Sequence, residues 1–303
     1  PPILSKVHIA LISSSEALLR YETNMLDVVE IHHGNVERFR DSNDPLKTHY
    51  VHAPQFTLFY MGFNTAVPPF DDVHVRRAFA KAIDVKKIIR VSLRGHETLA
   101  TGILPIGFPG YDSLLGSLDY APNDARAELL KSTYGSPEAL PDITMLIPAR
   151  GLLLPAHIEA SLFLIRENLG IDVAVLALEW PNFLDQIYGD MDEFQLYWLG
   201  WSADYPDPHN FLDLMFHSDS SDNVSRYSNL NVDALLERAR SELNDDRRFS
   251  MYSQVESIVS DEVPIIPFWH GLSHFLVRPT VKGLRVPPST QEWMSTVWIA
   301  EKP

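Results

Sequence analysis

Cysteine is absent from this 303-residue chain. Its absence excludes disulfide scaffolds, thiolate metal sites and cysteine nucleophiles. Basic residues are scarce as well, because 25 lysines and arginines stand against 40 acidic residues and leave a net charge of −15. A chain without a basic face is a poor partner for nucleic acid, and we expect none. Long apolar runs are also missing: the densest, residues 151–156, is far shorter than the roughly 18 residues of a membrane span.

Catalytic and cofactor motifs are missing too. The chain has no G-x-S-x-G elbow, no G-x-G-x-x-G, no P-loop and no H-E-x-x-H, so serine hydrolysis, nucleotide binding and zinc proteolysis have no support. Histidines number twelve, but the adjacent His32 and His33 would point to opposite faces of a strand. His270 and His274 would lie about 13 Å apart along one. We therefore expect no metal site and no cofactor.

The clearest pattern that is present is an alternation of strands and helices in the middle of the chain. Apolar runs predict strands over 142–147, 171–178 and 194–199, and helical periodicity predicts helices over 155–169 and 181–188. A β-α-β-α-β order favours parallel strand pairing with helices over the sheet faces. The fold class predicted is α/β.

Three further elements are expected from composition. Residues 6–12 are rich in strand formers, and residues 56–63 are apolar throughout, which is typical of a strand covered on both faces. Apolar residues at spacings of three and four predict one helix from about 72 to 93. Its basic residues are expected to form a solvated face: Arg76, Arg77, Lys81, Lys86 and Lys87.

The two ends of the chain are too small to fold alone. Residues 1–55 and 279–303 provide only about 80 residues in two separate pieces, a marginal core, whereas residues 64–274 are enough for a complete lobe. We expect one complete lobe and part of a second. The first residue is Pro1 rather than methionine, so we expect the chain to be part of something longer.

An acid stands where a predicted strand ends. Asp204 follows the strand over 194–199 and is flanked by Trp198, Trp201 and Tyr205. Ligands of open α/β sheets bind outside the carboxyl ends of strands. A carboxylate among aromatic rings is costly unless it meets a cation, and an ammonium group would satisfy both the charge and the rings. The alternative is a structural one, in which Asp204 caps a helix over 210–216.

Paired carboxylates could instead indicate a glycoside hydrolase. Asp204 with Asp207, or Glu179 with Asp185, would be candidates. Forty acidic residues make such pairs common by chance, and we expect no catalytic residue and no enzyme activity.

Four segments follow one another in an order that resembles a known family. They are residues 63–84 (FNTAVPPFDDVHVRRAFAKAID), 200–212 (GWSADYPDP followed by NFL), 227–236 (YSN followed by VDALL) and 264–267 (PIIP) with VKG at 281–283. These segments resemble the family 5 extracellular solute-binding proteins, the peptide-, dipeptide- and nickel-binding receptors of ABC importers. Mature chains of that family are longer, and their first part, with a signature near FHDG, has no counterpart here.

The resemblance implies a periplasmic-binding-protein type II fold, with ligand enclosed between two lobes. Residues 1–62 would form part of lobe I, to which 276–303 return, and 63–275 would form lobe II. Crossover strands are expected near 56–63 and 272–278. A periplasmic or extracellular location is implied, with a possible lipid anchor outside this chain.

Site residues follow from the same resemblance. Asp204 matches the carboxylate that pairs with the α-ammonium of a bound peptide, and the backbone of Trp201 to Ala203 would extend that peptide as a strand. Arg150 lies one residue from the arginine that binds the ligand carboxylate in dipeptide-binding members. Three matches concern pockets for ligand side chains: Trp180 and Trp201 as aromatic linings and Asn64 as a polar position.

The expected function is a monomeric, non-enzymatic receptor that captures peptides for the permease subunits of an ABC importer. Within the same fold the ligand could be a metal chelate, haem or an oligosaccharide. An acidic glycoside hydrolase is a remote alternative. A third is an interaction module for a membrane partner, which would show an exposed apolar patch on the second lobe.

Overall fold

A computed structural model describes residues 3–31, 33–41, 43–113, 119–149, 153–189, 194–284 and 294–300. The chain forms two compact units, one from residues 1–55 and 271–303 and the other from residues 56–270. Both unit boundaries fall inside long strands, a few residues from the positions expected from sequence. That these units correspond to lobes I and II stays a prediction.

Helices and strands occur in both units. The helices of the described residues are α1 Ser14–Glu22, α2 His33–Arg40, α3 Val73–Ala82, α4 Val85–Ser92, α5 Pro122–Lys131, α6 Ala156–Leu169, α7 Trp180–Tyr188, α8 Leu214–Phe216, α9 Leu230–Ser241 and α10 Asp245–Glu262. The strands are β1 Val28–Glu30, β2 Tyr50–Phe63, β3 Thr98–Leu99, β4 Ile143–Pro148, β5 Val173–Leu178, β6 Leu196–Ser202, β7 Ile265–Val277, β8 Val281–Lys282 and β9 Trp298–Ile299. Short turns of helix cover Lys47–His49, Pro137–Ala139 and His209–Asp213.

The unit of residues 56–270 is built on a mixed sheet. Its strand order is β7-β2-β6-β4-β5, with β3 on β7. Strand β4 pairs in parallel with β5 and with β6, which confirms the predicted β-α-β-α-β region. Helix α6 ends at Gly170, whose φ of 74° is the left-handed conformation that glycine adopts without strain. Strand β2 runs antiparallel to β6, from Thr57 opposite Ser202 to Phe63 opposite Leu196.

Two apolar cores lie on opposite faces of this sheet. Alternate residues of β2 enter each core, Leu58 and Tyr60 on one face and Met61 and Phe63 on the other. All four are at most 2% exposed. Helices α7, α9 and α10 contribute to the first core, and α3, α4, α5 and α6 to the second. The prediction that residues 56–63 are covered on both faces is confirmed.

The unit of residues 1–55 and 271–303 has a small core of its own. Helix α1 begins where the Ser13 hydroxyl accepts a hydrogen bond from the backbone N–H of Glu16. Strand β1 pairs antiparallel with the end of β7. The guanidinium of Arg278 lies 4.5 Å from the ring centre of Tyr21, which is fully buried. The core comprises Tyr21, Val29, Ile31, Val36, Phe39 and Leu276.

The strand expected over residues 6–12 does not form. These residues are irregular in the structure, and Ile9 and Leu11 are 80% and 95% exposed. A strand depends on a neighbour for its hydrogen bonds and for cover of its apolar face. No strand of the described residues pairs with this segment, so composition alone gave a wrong prediction.

The single helix expected over 72–93 is two helices. Ile83 is extended (φ −105°, ψ 116°) and ends α3, and the Asp84 side chain accepts a hydrogen bond from the N–H of Lys87 to begin α4. The solvated basic face is also wrong at Arg76, which is 6% exposed. Its guanidinium donates to the carbonyls of Phe70 and Glu262, at 2.7 and 2.9 Å. Glu262 is the last residue of α10, where unpaired carbonyls favour a cation.

No helix in the described part of the chain combines the length and the apolar composition that a bilayer crossing demands.

Candidate functional site

The segment around Asp204 begins on a strand that is longer than expected. Strand β6 continues to Ser202, and Trp201 lies opposite Leu58 on β2. The N–H of Ala203 donates to the carbonyl of Phe56 at 2.8 Å. One edge of the last residues of β6 is therefore fully occupied by β2.

The other edge of β6 is open at the same place. Strand β4 pairs with β6 only at Leu196 and Tyr197, and Gly200 and Ser202 are exposed. Among the described residues no further strand lies along the outer edge beyond Tyr197. An extended peptide can add to such an edge through main-chain hydrogen bonds.

A closed loop follows β6. The indole N–H of Trp201 donates to the carbonyl of Asn210 at 2.8 Å and lies 3.2 Å from its Oδ1. Within the loop, Asp207 Oδ1 accepts a hydrogen bond from the N–H of His209 at 3.0 Å. Asp207 therefore accepts the hydrogen bond at the start of the helical turn over His209–Asp213, just before the N-cap residue Pro208. Among the described residues Asp204 makes no such bond, so the structural alternative that gave it the capping role is wrong.

Two of the three aspartates in this segment are neutralised by arginines. Asp207 makes a two-pronged pair with Arg248, at 2.9 Å to Nη1 and 2.6 Å to Nη2. Burial opposes ionisation of Asp207, but the Arg248 guanidinium and the His209 N–H outweigh it and hold the pKa of Asp207 below its usual value. Asp213 pairs in the same way with Arg240, at 2.8 and 2.7 Å.

Asp204 is different. Its side chain is exposed, and in the described part of the chain its carboxylate makes neither a hydrogen bond nor an ion pair. It stands two residues past the end of β6. Of the three carboxylates, only Asp204 is therefore available to a cation from outside the chain.

The structure places the other predicted site residues in different surroundings. Trp201 and Ala203 share the Asp204 segment, and Ala203 is buried. Trp180 is 48% exposed at the start of α7, and its indole stacks on the ring of Phe183 at 5.7 Å. Such an exposed aromatic face is free to meet a ligand side chain. The role of each residue as a ligand contact stays a prediction.

Asn64 lies apart from this segment, where β2 ends. Asn64 is fully buried, its Nδ2 donates to the carbonyl of Phe194 at 3.0 Å and its Oδ1 accepts from the N–H of Ala66 at 3.1 Å. These bonds fix the chain where β2 ends. Arg150 lies outside the described residues.

The geometry also bears on the alternative chemistries. Asp207 is held in an ion pair, so Asp204 and Asp207 are not the two free carboxylates that a glycoside hydrolase needs. Within the described ranges no group of three or more histidine, aspartate or glutamate side chains is placed to hold a metal ion.

Sequence reasoning missed the two arginines of the site. Arg240 is 27 residues and Arg248 41 residues from its aspartate, and neither spacing carries a signal.

Known proteins resemble this chain in sequence over most of its length. The family model for bacterial extracellular solute-binding proteins, family 5 Middle, matches residues 1–223. Di/tripeptide-binding protein 1 of Pseudomonas aeruginosa is 29% identical over 240 residues, 77% of this chain and 43% of the relative. Heme-binding protein A of Haemophilus influenzae is 28% identical over 244 residues, 79% of this chain and 44% of the relative.

A solved structure shows the same fold. The ABC transporter-associated periplasmic binding protein DppA from Helicobacter pylori, in complex with the peptide STSA, superposes with a TM-score of 0.80 at 21% identity, over 95% of this chain and 55% of that one. The expected fold class is thereby confirmed. This chain spans about half the length of the relatives it matches. By the extent of the family match, it belongs to the family 5 bacterial extracellular solute-binding proteins.

Proposed function

We propose that this chain is part of a receptor that captures short peptides outside the cytoplasm for an ABC importer and catalyses no reaction. The observation that carries the proposal is the unpaired, exposed carboxylate of Asp204 beside the open edge of β6. Relatives named for binding dipeptides and tripeptides support the ligand class. Relatives named as binding proteins support a role without catalysis.

Two interactions bind the peptide, one to its amino group and one to its backbone. The α-ammonium of the peptide pairs with Asp204, and a charge-assisted hydrogen bond of this kind is stronger than a neutral one. The peptide backbone adds to the outer edge of β6 near Trp201 and Ser202, which gives affinity that does not depend on side chains. Trp180 and Trp201 offer aromatic faces to the peptide side chains, and Arg150 is the proposed partner of the ligand carboxylate.

The setting of the receptor is proposed on the same basis. It acts in the periplasm or on the outer surface of the cell, as a monomer, and passes its ligand to the permease subunits of the importer. Periplasmic relatives support this location. Attachment by a lipid anchor is part of the proposal.

The proposal is tested by titrating the natural protein that carries this chain with tripeptides in a calorimeter. Asp204→Asn keeps the size of the side chain and removes its charge. We expect it to weaken binding by at least about 30-fold, since loss of one partner of a desolvated charge pair costs about 2–5 kcal/mol. Asp219→Asn, at another exposed aspartate, is the matched control and should leave the dissociation constant unchanged.

Acetylation of the peptide amino group makes the test specific. The acetylated peptide should bind the wild type weakly, and Asp204→Asn should not weaken it further. Equal affinity of free and acetylated peptides for the wild type would contradict the role of Asp204.

Haem is the second ligand to consider, because a haem-binding relative is as similar as the peptide-binding ones. Native mass spectrometry of protein purified from its own host separates the two. Peptides appear in the mass spectrum as a ladder of bound masses, and haem as a single bound mass. The absorption spectrum of the same protein shows a Soret band only if haem is bound.

A further inference from the structure

The loop that carries Asp204 is held at several points within one unit of the chain. Its beginning is tied to β2 through Ala203 and its end to Trp201 through Asn210. Between these ties lies Asp207, whose carbonyl accepts a hydrogen bond from the N–H of Asn210 at 2.9 Å. The position of Asp207 is thus linked, through Asn210, to the indole of Trp201.

Asp207 is fixed in turn by Arg248 on α10. The guanidinium presents two parallel N–H donors to the two carboxylate oxygens, a geometry that lysine cannot reproduce. It also lies over the rings of Phe249 and Tyr252, with its Cζ at 5.2 and 5.6 Å from their centres. The Arg248 side chain is 18% exposed, so its orientation is set by packing as well as by charge.

The Arg240–Asp213 pair offers a comparison of the same chemistry at a different place. The Arg240 side chain is 42% exposed and pairs with Asp213, the last residue of the helical turn. The backbone of Asp213 is also held, because its carbonyl accepts a hydrogen bond from the N–H of His217 at 3.0 Å. Oδ2 of Asp213 also lies 3.8 Å from Nε2 of His209. Loss of Arg240 removes none of the bonds that hold the loop through Ala203, Asp207 and Asn210.

We propose that Arg248 and Asp207 are positioning residues: their ion pair fixes the loop of residues 203–209 and so holds the Asp204 carboxylate where the ligand ammonium meets it. The inference rests on the proposed function, and it names an ion pair that sets the affinity of the receptor for its peptide. With Asp207 released, Asp204 remains present but has to be ordered when ligand binds, and that ordering subtracts from the binding free energy.

The experiment compares Arg248→Met with Arg240→Met in the natural protein. Arg248→Met should raise the dissociation constant for a tripeptide at least about tenfold, mainly through faster dissociation, and Arg248→Lys should not restore it. Arg240→Met should change it less than about twofold, although both variants lose an ion pair. Asp207→Asn combined with Arg248→Met should bind no more weakly than Arg248→Met alone, since the two residues act as one unit.

A second readout does not depend on peptide binding. Without ligand, hydrogen exchange of the Trp201 indole N–H, followed by NMR, should be faster in Arg248→Met than in wild type and unchanged in Arg240→Met. Equal effects of the two variants on affinity, or an unchanged Trp201 exchange rate in Arg248→Met, would overturn the inference. If the wild type binds no peptide, the proposed function fails and the exchange comparison still decides the positioning role. If Arg248→Met does not fold, Arg248→Lys and Asp207→Asn decide it by the same two measurements.

Discussion

The residues of the candidate site differ in whether a local sequence pattern can predict their role. Asp204 follows a predicted strand among aromatic residues, and this local pattern makes it a candidate, which stays a prediction. The arginines that neutralise Asp207 and Asp213 are distant in the chain, so no local pattern could name them. Arg76 shows the same limit, because helical spacing placed it on a solvated face whereas the carbonyls of Phe70 and Glu262 bind it inside the protein.

A buried acid away from the site leads to a prediction about pH. Glu256 on α10 is 2% exposed, and its Oε1 accepts hydrogen bonds from the N–H groups of Ile103 and Leu104 at 2.6 and 3.1 Å. Burial raises the pKa of the Glu256 carboxyl from 4.5 to about 7. The folded state therefore holds this proton more tightly than the unfolded state, and stability falls as the pH rises through this range.

We expect Glu256→Gln to remove this dependence. Because one pKa unit corresponds to about 1.4 kcal/mol, the wild type should lose about 3 kcal/mol from this group between about pH 4.5 and pH 7, and little more above that. The variant should be more stable than wild type at pH 8 and close to it at pH 5, as measured by urea denaturation. Glu159→Gln, at an exposed position on α6, serves as the control and should follow the wild-type curve. If the difference in free energy of unfolding between Glu256→Gln and the wild type is the same at pH 5 and pH 8, Glu256 does not titrate in this range.

Elements were predicted well where periodicity and stop signals agree. The central β-α-β-α-β region has strands with continuous apolar runs and a helix that ends at Gly170, and its parallel pairing is confirmed. The strand expected over 6–12 failed because strand formation depends on a partner that composition cannot show. The helix expected over 72–93 failed for a different reason, since apolar spacing continues from α3 into α4 and hides the break at Ile83 and Asp84.

The break between α3 and α4 leads to a prediction about Asp84. Its carboxylate accepts a hydrogen bond from the N–H of Lys87 at 2.9 Å, one of the N–H groups that have no partner within the helix. Asp84→Ala should lower the free energy of unfolding by about 1 kcal/mol, and Asp84→Asn, which still caps, by a few tenths. The measurement is urea denaturation followed by circular dichroism.

Asp124→Ala provides the comparison for this variant. Asp124 lies in the first turn of α5 and makes no cap hydrogen bond there, so only the weaker attraction to the helix dipole is lost, a few tenths of a kcal/mol. Equal losses for Asp84→Ala and Asp124→Ala would mean that the cap contributes nothing beyond charge.

The lobe organisation of the whole molecule, which a size argument predicts, stays a prediction. Two short terminal pieces and one long middle segment indicated one complete lobe and part of another, and the structure has a unit of residues 56–270 and a unit of two pieces. The exact limits depend on which strands pair. Residues 57–62 of β2 pair with β6, whereas the sequence placed them before the larger lobe.

The pairing of β2 gives a direct test of these limits. A fragment of residues 56–270 keeps both cores and the whole loop of Asp204 with Arg248, so we expect it to fold alone, with a single cooperative urea transition and a protected Trp201 indole N–H.

A fragment of residues 63–275, cut at the limits expected from sequence, lacks the part of β2 that pairs with β6 from Thr57 to Gly62 and that contributes Leu58, Tyr60 and Met61 to the cores. Loss of these three buried side chains removes several kcal/mol each from a protein whose net stability is about 5–15 kcal/mol. The shorter β2 should therefore leave this fragment unfolded, with exchange of its indole N–H groups complete within minutes. Equal stability of the two fragments would show that the fold does not need residues 56–62 of β2. Strands β4 and β5 would then be enough to hold β6 in place.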